Sequence, residues 1–436
     1  MDGVSSGQTL PAHIPVAIVG AGQAGLSLSW YLRRAGIDHV VLERNEPGHA
    51  WRHERWDSFC LFTPNWQCQL PGYPYAGDNP DGFMPRDEIV AYLDGFARSF
   101  DPPVHSGVEV ERLGARTLAG YTLRTSRGTF DADQVVVATG GYHDPVLPSS
   151  AAKLDPSIRQ VLASDYRNPG ALPPGAVLVV GTGQSGAQIA EDLHLAGRVV
   201  HLCVGAAPRV SRSYRGRDVV AWQHAMGHFD VPVDAHPLRE RVRDRTNHYV
   251  GTRGGGHDID LRRFAVAGMQ LHGSLADISD GAARFAPDLA ANLDNADAAN
   301  ATIKHEIDGF IAEQGIQAPV DDPYVAPWHP PADALESLDL RAAGITSIVW
   351  CAGFRPNYHW IDLPVTGPDG RPTHHRGVTP LPGLYFLGLP WLHSWGSGRM
   401  SGVGRDAAYL SERIVALSEG TVALSQGAGE RATSGV

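Results

Sequence analysis

The chain has 436 residues, 43% hydrophobic and 19% charged, with a formal net charge of −11. That length allows roughly two to three domains and a sizeable core, and the acidic balance argues against a nucleic-acid backbone or an anionic membrane surface as partner. The four cysteines, Cys60, Cys68, Cys203 and Cys351, form no CxxC pair and no zinc spacing, so they call for neither an oxidising compartment nor a metal.

Met1 to Pro15 is polar, lacks an apolar signal-type core and is expected to be a short loose tail. The strand Val16-Ala17-Ile18-Val19 then runs into Gly20-Ala21-Gly22-Gln23-Ala24-Gly25. In such a loop the first glycine makes the tight turn and the second lies under a pyrophosphate. The third lets the following helix pack close to its strand. The helix N-terminus offers unpaired N–H groups and a positive dipole end to the phosphates. A helix is predicted from Leu26 to Ala35, stopped by Gly36, and the next strand, His39-Val40-Val41-Leu42, ends in Glu43. A carboxylate there is placed to accept hydrogen bonds from a ribose 2′-hydroxyl, and a loop this near the N-terminus is typical of FAD binding. Arg44 could brace the adenosine end, although a surface arginine needs no such role.

Val135-Val136-Val137-Ala138 is a buried strand whose small-residue end, Thr139-Gly140, lets the backbone pass close to the flavin side. A second strand, Val177-Leu178-Val179-Val180, leads into a second loop, Gly181-Thr182-Gly183-Gln184-Ser185-Gly186, and a predicted helix from Ala187 to Leu195. The strand Val199 to Val204 ends in Gly205-Ala206-Ala207, without a carboxylate, and Arg209, Arg212 and Arg215 follow. Arginine can grip a 2′-phosphate that a carboxylate would repel, so NADPH is read over NADH, with Arg209 and Arg212 as the ligands. The alternative is ordinary ion pairing. Two loops of this kind point to two dinucleotides and electron transfer between them.

From Asp218 to Pro331 the pattern is less regular, with helices expected at Ala283–Asn292 and Ala298–Gln314. Ile348 to Arg355 repeats the strand-and-small-residue form, and Gly383 to Gly388 is the last strand, before a helix from Val403 to Leu417. The uncharged stretch from Gly377 to Gly398 is broken by Pro380, Pro382 and Pro390 and cannot be a membrane helix. The fold class is therefore α/β, with two dinucleotide-binding, Rossmann-like domains. An FAD domain in two segments (13–172 and 356–436) carries an inserted NADPH domain (173–355), itself with an irregular insertion at about 218–331. A soluble, cytoplasmic protein is expected.

These loops and strand ends make the chain resemble the class B flavin monooxygenases. Trp51, Trp56 and Thr63-Pro64-Asn65-Trp66-Gln67-Cys68-Gln69-Leu70-Pro71 resemble the flavin-side segment of flavin-containing monooxygenases and plant auxin-synthesis monooxygenases. Gly107-Val108-Glu109-Val110 resembles the strand whose backbone holds the adenine. The resemblance implies cofactor contacts from Gly20, Gly22, Gln23, Ala24, Gly25, Glu43, Arg44, Trp51, Trp56, Thr63, Val110, Thr139, Gly140 and Gly388. The second loop supplies another set, Gly181, Gly183, Gln184, Ser185 and Gly186, with Arg209 and Arg212 from the strand end beyond it. Asn65 and His393 are the candidate catalytic residues, the latter because it lies where this fold brings the chain under the flavin. One departure concerns the fingerprint before the second loop. Its aromatic is Tyr166, but Leu162 stands for the histidine, and Pro156 and Ile158 for the Phe and Gly.

The implied reaction is hydride transfer from NADPH to FAD, followed by transfer of one atom of molecular oxygen to a small substrate, at nitrogen, sulfur or a carbonyl. The cofactor carries the difficult chemistry, and the protein positions it and excludes water. The rivals are an NADPH-dependent reductase or dehydrogenase without oxygen insertion, and a flavin-binding redox sensor. Neither nucleic acid nor membrane is expected as a partner, and a homodimer is left open.

Overall fold

The computed structural model describes residues 11–117 and 119–433, with side chains to residue 420. Strand β1 (His13–Val19), helix α1 (Gln23–Arg34) and strand β2 (His39–Glu43) form the first β-α-β unit. Short helix α2 (His49–His53) and helix α3 (Arg86–Phe100) lead to β3 (Val104–Ser106) and to the meander β4 (Val110–Ala115), β5 (Tyr121–Thr125) and β6 (Gly128–Val137). Sheet order is β3-β2-β1-β6-β5-β4, parallel from β3 through β6 and antiparallel across the meander. The centre of β1 and the end of β6 are apolar on both faces, as strands covered on both sides must be.

The second sheet contains β7 (Arg159–Leu162), β8 (Ala176–Val180), β9 (Val200–Cys203), β10 (Gln270–His272) and β14 (Ile345–Trp350), all parallel, in the order β7-β14-β8-β9-β10. Strand β7 falls inside the stretch expected for the first segment of the FAD domain, yet it pairs with β14 of the second sheet. Helix α4 (Gln184–Leu195) joins β8 to β9. The region expected to be irregular is so over much of its first half, in short helices and turns, and its second half holds β11 (Leu275–Ser279), β12 (Ala282–Phe285) and one long helix, α5 (Leu289–Gln314), with β13 (Ser337–Asp339) completing an antiparallel meander beyond it. The two helices expected there are corrected: Ala282–Phe285 is strand, and a single helix follows. The chain then returns to the first sheet through β15 (Leu384–Phe386), which pairs with β6, and ends in α6 (Val403–Thr433), packed on α1. The first domain is thus built from two separated segments, with the second inserted between them.

No helix among the described residues is long and apolar enough to cross a membrane. All four cysteines are free thiols. Burial pushes the Cys68 and Cys351 thiols up to about 12, and raises those of Cys60 and Cys203 as well.

Candidate cofactor cleft between the two sheets

Both glycine loops are built the same way. Gly20 (φ +108°) and Gly181 (φ +103°) turn the chain in a conformation that favours glycine. A Cβ would lie 2.6 Å from the Ala138 carbonyl oxygen at the first and 2.6 Å from that of Cys351 at the second. These backbone contacts are why glycine is needed at both turns. The Gly20 N–H donates to the Leu42 carbonyl at 2.7 Å, and the Gly181 N–H to that of Cys203 at 3.2 Å. Gly25 and Gly186 are closed positions, where a Cβ would lie 1.9 and 2.0 Å from the carbonyl oxygens of Gly20 and Gly181. Gly22 is open, with nothing within 4 Å of its Cβ position, and Gly183 meets only a Thr246 methyl at 3.9 Å. No side chain caps α1 or α4. Each helix therefore presents an uncapped N-terminus across an unfilled cradle, which fits a pyrophosphate.

Around the first loop, one Glu43 oxygen accepts from Ala21 N–H at 2.9 Å and the other from Asn45 N–H at 3.0 Å. These bonds fix the carboxylate beside the loop. Val108 N–H donates to the Glu43 carbonyl, so the segment before Val110 lies against the same strand end. Trp51 Nε1 donates to Gln23 Oε1 at 3.1 Å, and Gln23 Nε2 donates to the Gly398 carbonyl at 3.2 Å. A Cβ on Gly388 (φ +80°) would lie 2.6 Å from the Ala24 Cβ, which places the end of β15 on the first turn of α1. Arg44 and Thr139 are exposed, Thr63 is buried, and the Gly140 carbonyl accepts from Tyr358 OH at 3.0 Å. Around the second loop, Gln184 pairs with both the N–H and the carbonyl of Val250, while Ser185 is half-buried.

Other candidate residues are held by partners within the chain. Arg209 is 3% exposed, its Nε donates to Asp297 at 2.6 Å, and it lies over the Tyr324 ring. Arg212 is 5% exposed and is held by Asp218 at 2.6 Å and the Phe62 carbonyl at 3.0 Å, over Phe83. Each guanidinium is engaged in a buried ion pair, while Arg209 Nη2 and Arg212 Nε have no hydrogen-bond partner among the described residues. Asn65 uses its amide to hold the loop ahead of α3, donating to the Asn79 carbonyl at 2.9 Å and accepting from Met84 N–H at 2.7 Å. The charged and titratable groups that reach His393 are Arg376, His375, Asp234 and Arg405, none of them in a glycine loop, and burial holds its pKa below the usual range. Trp56 is a core side chain, edge-on to Phe59.

Three features escape sequence reading because they join distant segments. Asp192 of α4, 6% exposed, accepts from Ser58 Oγ at 2.6 Å, Tyr166 OH at 2.7 Å and Arg253 at 2.8 Å, tying the two domains together. His257 binds the neighbouring Glu191 at 2.5 Å, and that bond raises its pKa against the opposing effect of burial. Arg399, Phe62, Phe229, Trp395 and Asn247 converge from four stretches of chain. Burial and the charges of Arg399 and Arg245 push His248, edge-on to Trp395, down to about 4, so it is neutral at neutral pH.

A strand, an uncapped helix and an acidic strand end surround one cradle, and a second cradle lies on the inserted sheet. An uncharacterised CzcO-like oxidoreductase of Geobacillus kaustophilus is 32% identical over 92% of this chain and 98% of its own length. The chain belongs to the CzcO oxidoreductase family, which is flavin-monooxygenase-like. It is an oxidoreductase. Residues 17–223 match the pyridine nucleotide-disulphide oxidoreductase family. A rice (Oryza sativa) indole-3-pyruvate monooxygenase, YUCCA4, is 32% identical over 40% of this chain and 44% of its own. A flavin-containing monooxygenase from Stenotrophomonas maltophilia shares the fold at a TM-score of 0.64, with 20% identity over 94% of this chain and 100% of its own.

Proposed function

We propose that this CzcO-family protein is an NADPH-dependent FAD monooxygenase that transfers one oxygen atom to a small organic substrate. The observation that carries this reading is the pair of open glycine cradles, each facing an uncapped helix N-terminus on its own sheet. The first, with Glu43 at the ribose and Gly388 behind α1, would hold FAD; the second would hold the nicotinamide nucleotide. When bound, the pair supplies hydride transfer and oxygen activation. The chain's own work is positioning: Trp51 and Gly398 are both hydrogen-bonded to Gln23, and Asp192 keeps the two units in register. Phe62, Phe229, Trp391 and Trp395 form one aromatic cluster around Arg399, an apolar surface of the kind that would keep water from reduced flavin.

Stopped-flow mixing of NADPH-reduced holoenzyme with oxygen tests the reading. A monooxygenase returns to oxidised flavin in two phases, with peroxide released only in the slower one. A single phase with stoichiometric peroxide assigns the chain to the oxidases or reductases, the reading that Leu162, at the position of the family's histidine, favours.

A further inference from the structure

The turn between β2 and α2 gathers three metal-ligating side chains that the two cradles do not use. Glu46 lies in that turn, and His49 and His53 begin and end α2. Residues four apart share one face of a helix, the spacing by which two histidines grip one ion. The two rings stand 4.7 Å apart, centroid to centroid. One nitrogen from each histidine and one Glu46 oxygen lie within 4.8 Å of one another, and among the described residues this is the one such group of three. His53 Nε2 is 2.6 Å from Glu46 Oε1, a contact that a bound ion would replace. His49 Nδ1 is buried with no hydrogen-bond partner among the described residues. His39 and His257, by contrast, have both ring nitrogens bonded.

The backbone holds the group together by itself. His49 N–H donates to the Glu46 carbonyl at 3.1 Å, and Arg52 Nε donates to that of Pro47 at 3.2 Å. Gly48 (φ +71°) turns the chain between the carboxylate and the helix, and its N–H donates to the Ala21 carbonyl of the first loop at 3.1 Å. Ligands already fixed in this way lose little conformational freedom on binding. Arg52 is paired with Asp94 and reaches the second Glu46 oxygen only at 4.0 Å, which leaves the carboxylate able to ligate.

We propose that Glu46, His49 and His53 bind one divalent transition-metal ion of the zinc type, with water completing its coordination. Two imidazoles and a carboxylate are donors that zinc, cobalt and nickel accept, whereas calcium and magnesium call for oxygen ligands. Glu46 and His53 are exposed, so solvent reaches the remaining position. The ion would clamp the turn onto α2, whose Trp51 is bonded to Gln23 of the first loop. Ion binding rests on these three side chains and not on the monooxygenase reading.

The test uses the full chain, loaded with FAD, freed of metal by a chelator and titrated with Zn²⁺ in competition with a chromophoric zinc indicator. One equivalent should bind ahead of any others and raise the melting temperature, because the ion favours the folded chain. H49A and H53A should each weaken that equivalent at least about tenfold, and E46Q should weaken it as well. H375Q alters an exposed histidine elsewhere in the chain and should leave it unchanged. The absence of a distinct first equivalent overturns the proposal. So does its survival in H49A and H53A, or an equal loss in H375Q, since zinc would then be held adventitiously by surface histidines. If H49A does not fold, H53A, whose side chain is exposed, decides. Failure of the two-phase oxygen experiment would overturn the monooxygenase reading and leave the zinc equivalent untouched.

Discussion

At the scale of single residues, the two cradles separate binding from folding. Gly22 has room for a side chain in the protein alone, whereas Gly25 has none. Gly22→Val is therefore expected to fold with native circular dichroism and to purify without flavin colour, because its side chain fills the pyrophosphate space. Flavin absorbance measured against protein concentration checks this; stoichiometric FAD would remove the first loop from the cofactor site. Arg209 gives the opposite expectation. Its ion pair with Asp297 is buried, so Arg209→Met should lower unfolding free energy by roughly 3 kcal/mol in urea titration. The ratio of NADPH to NADH efficiency should stay within about twofold, since a charge-assisted phosphate contact would shift it by far more. A selective loss of NADPH would return the arginine to the nucleotide.

Among elements, α4 carries the contacts that the glycine loop alone does not explain. His257 is bonded to Glu191 on this helix and its pKa is raised above the ordinary value of 6.5. A histidine bound more tightly as the cation contributes stability that is fully present below its unfolded pKa. That stability is lost as pH rises through the folded value. Melting temperature should thus fall, as pH rises above the ordinary histidine value of about 6.5, more steeply in the native protein than in His257→Gln; equal slopes would show that the pair carries no linked proton. The elements flanking both glycine loops were legible in the sequence, since apolar strands, glycine turns and helix stops all agree there. Helix α5 was read as two pieces for a physical reason. Its buried face includes Asn292 and Asn300 between Leu293, Ala296 and Ile303, and these amides serve buried backbone groups of Val204 and Ser211. Polar residues on an inward face erase the apolar stripe that marks a helix. The partner of Arg209 was hidden likewise, because Asp297 lies 88 residues away in the sequence.

For the whole molecule, discontinuity is the governing fact. Strand β15 supplies a neighbour to β6, and Gly388 closes on α1, although both lie more than 200 residues beyond the loop they support. A chain ending at residue 376 should leave the β6 edge unpaired and lose FAD, measured by flavin release on size exclusion. If that fragment keeps its flavin, the C-terminal segment is dispensable to the first domain. The cluster around Arg399 draws on Phe62, Phe229, Asn247 and Trp395. Such a site forms only when the inserted domain has docked, and pairwise motifs could not announce it.

The buried thiols bear on how long such an enzyme works. A flavoprotein that handles oxygen exposes itself to the peroxide it releases, and cysteine reacts with peroxide as thiolate. Here every thiol is raised in pKa by burial, two of them to about 12, so at neutral pH almost none is ionised. Nothing in the cysteine complement offers this by-product an easy target. On the monooxygenase reading, the peroxide of uncoupled cycles meets thiols that burial keeps protonated, and their oxidation should be slow.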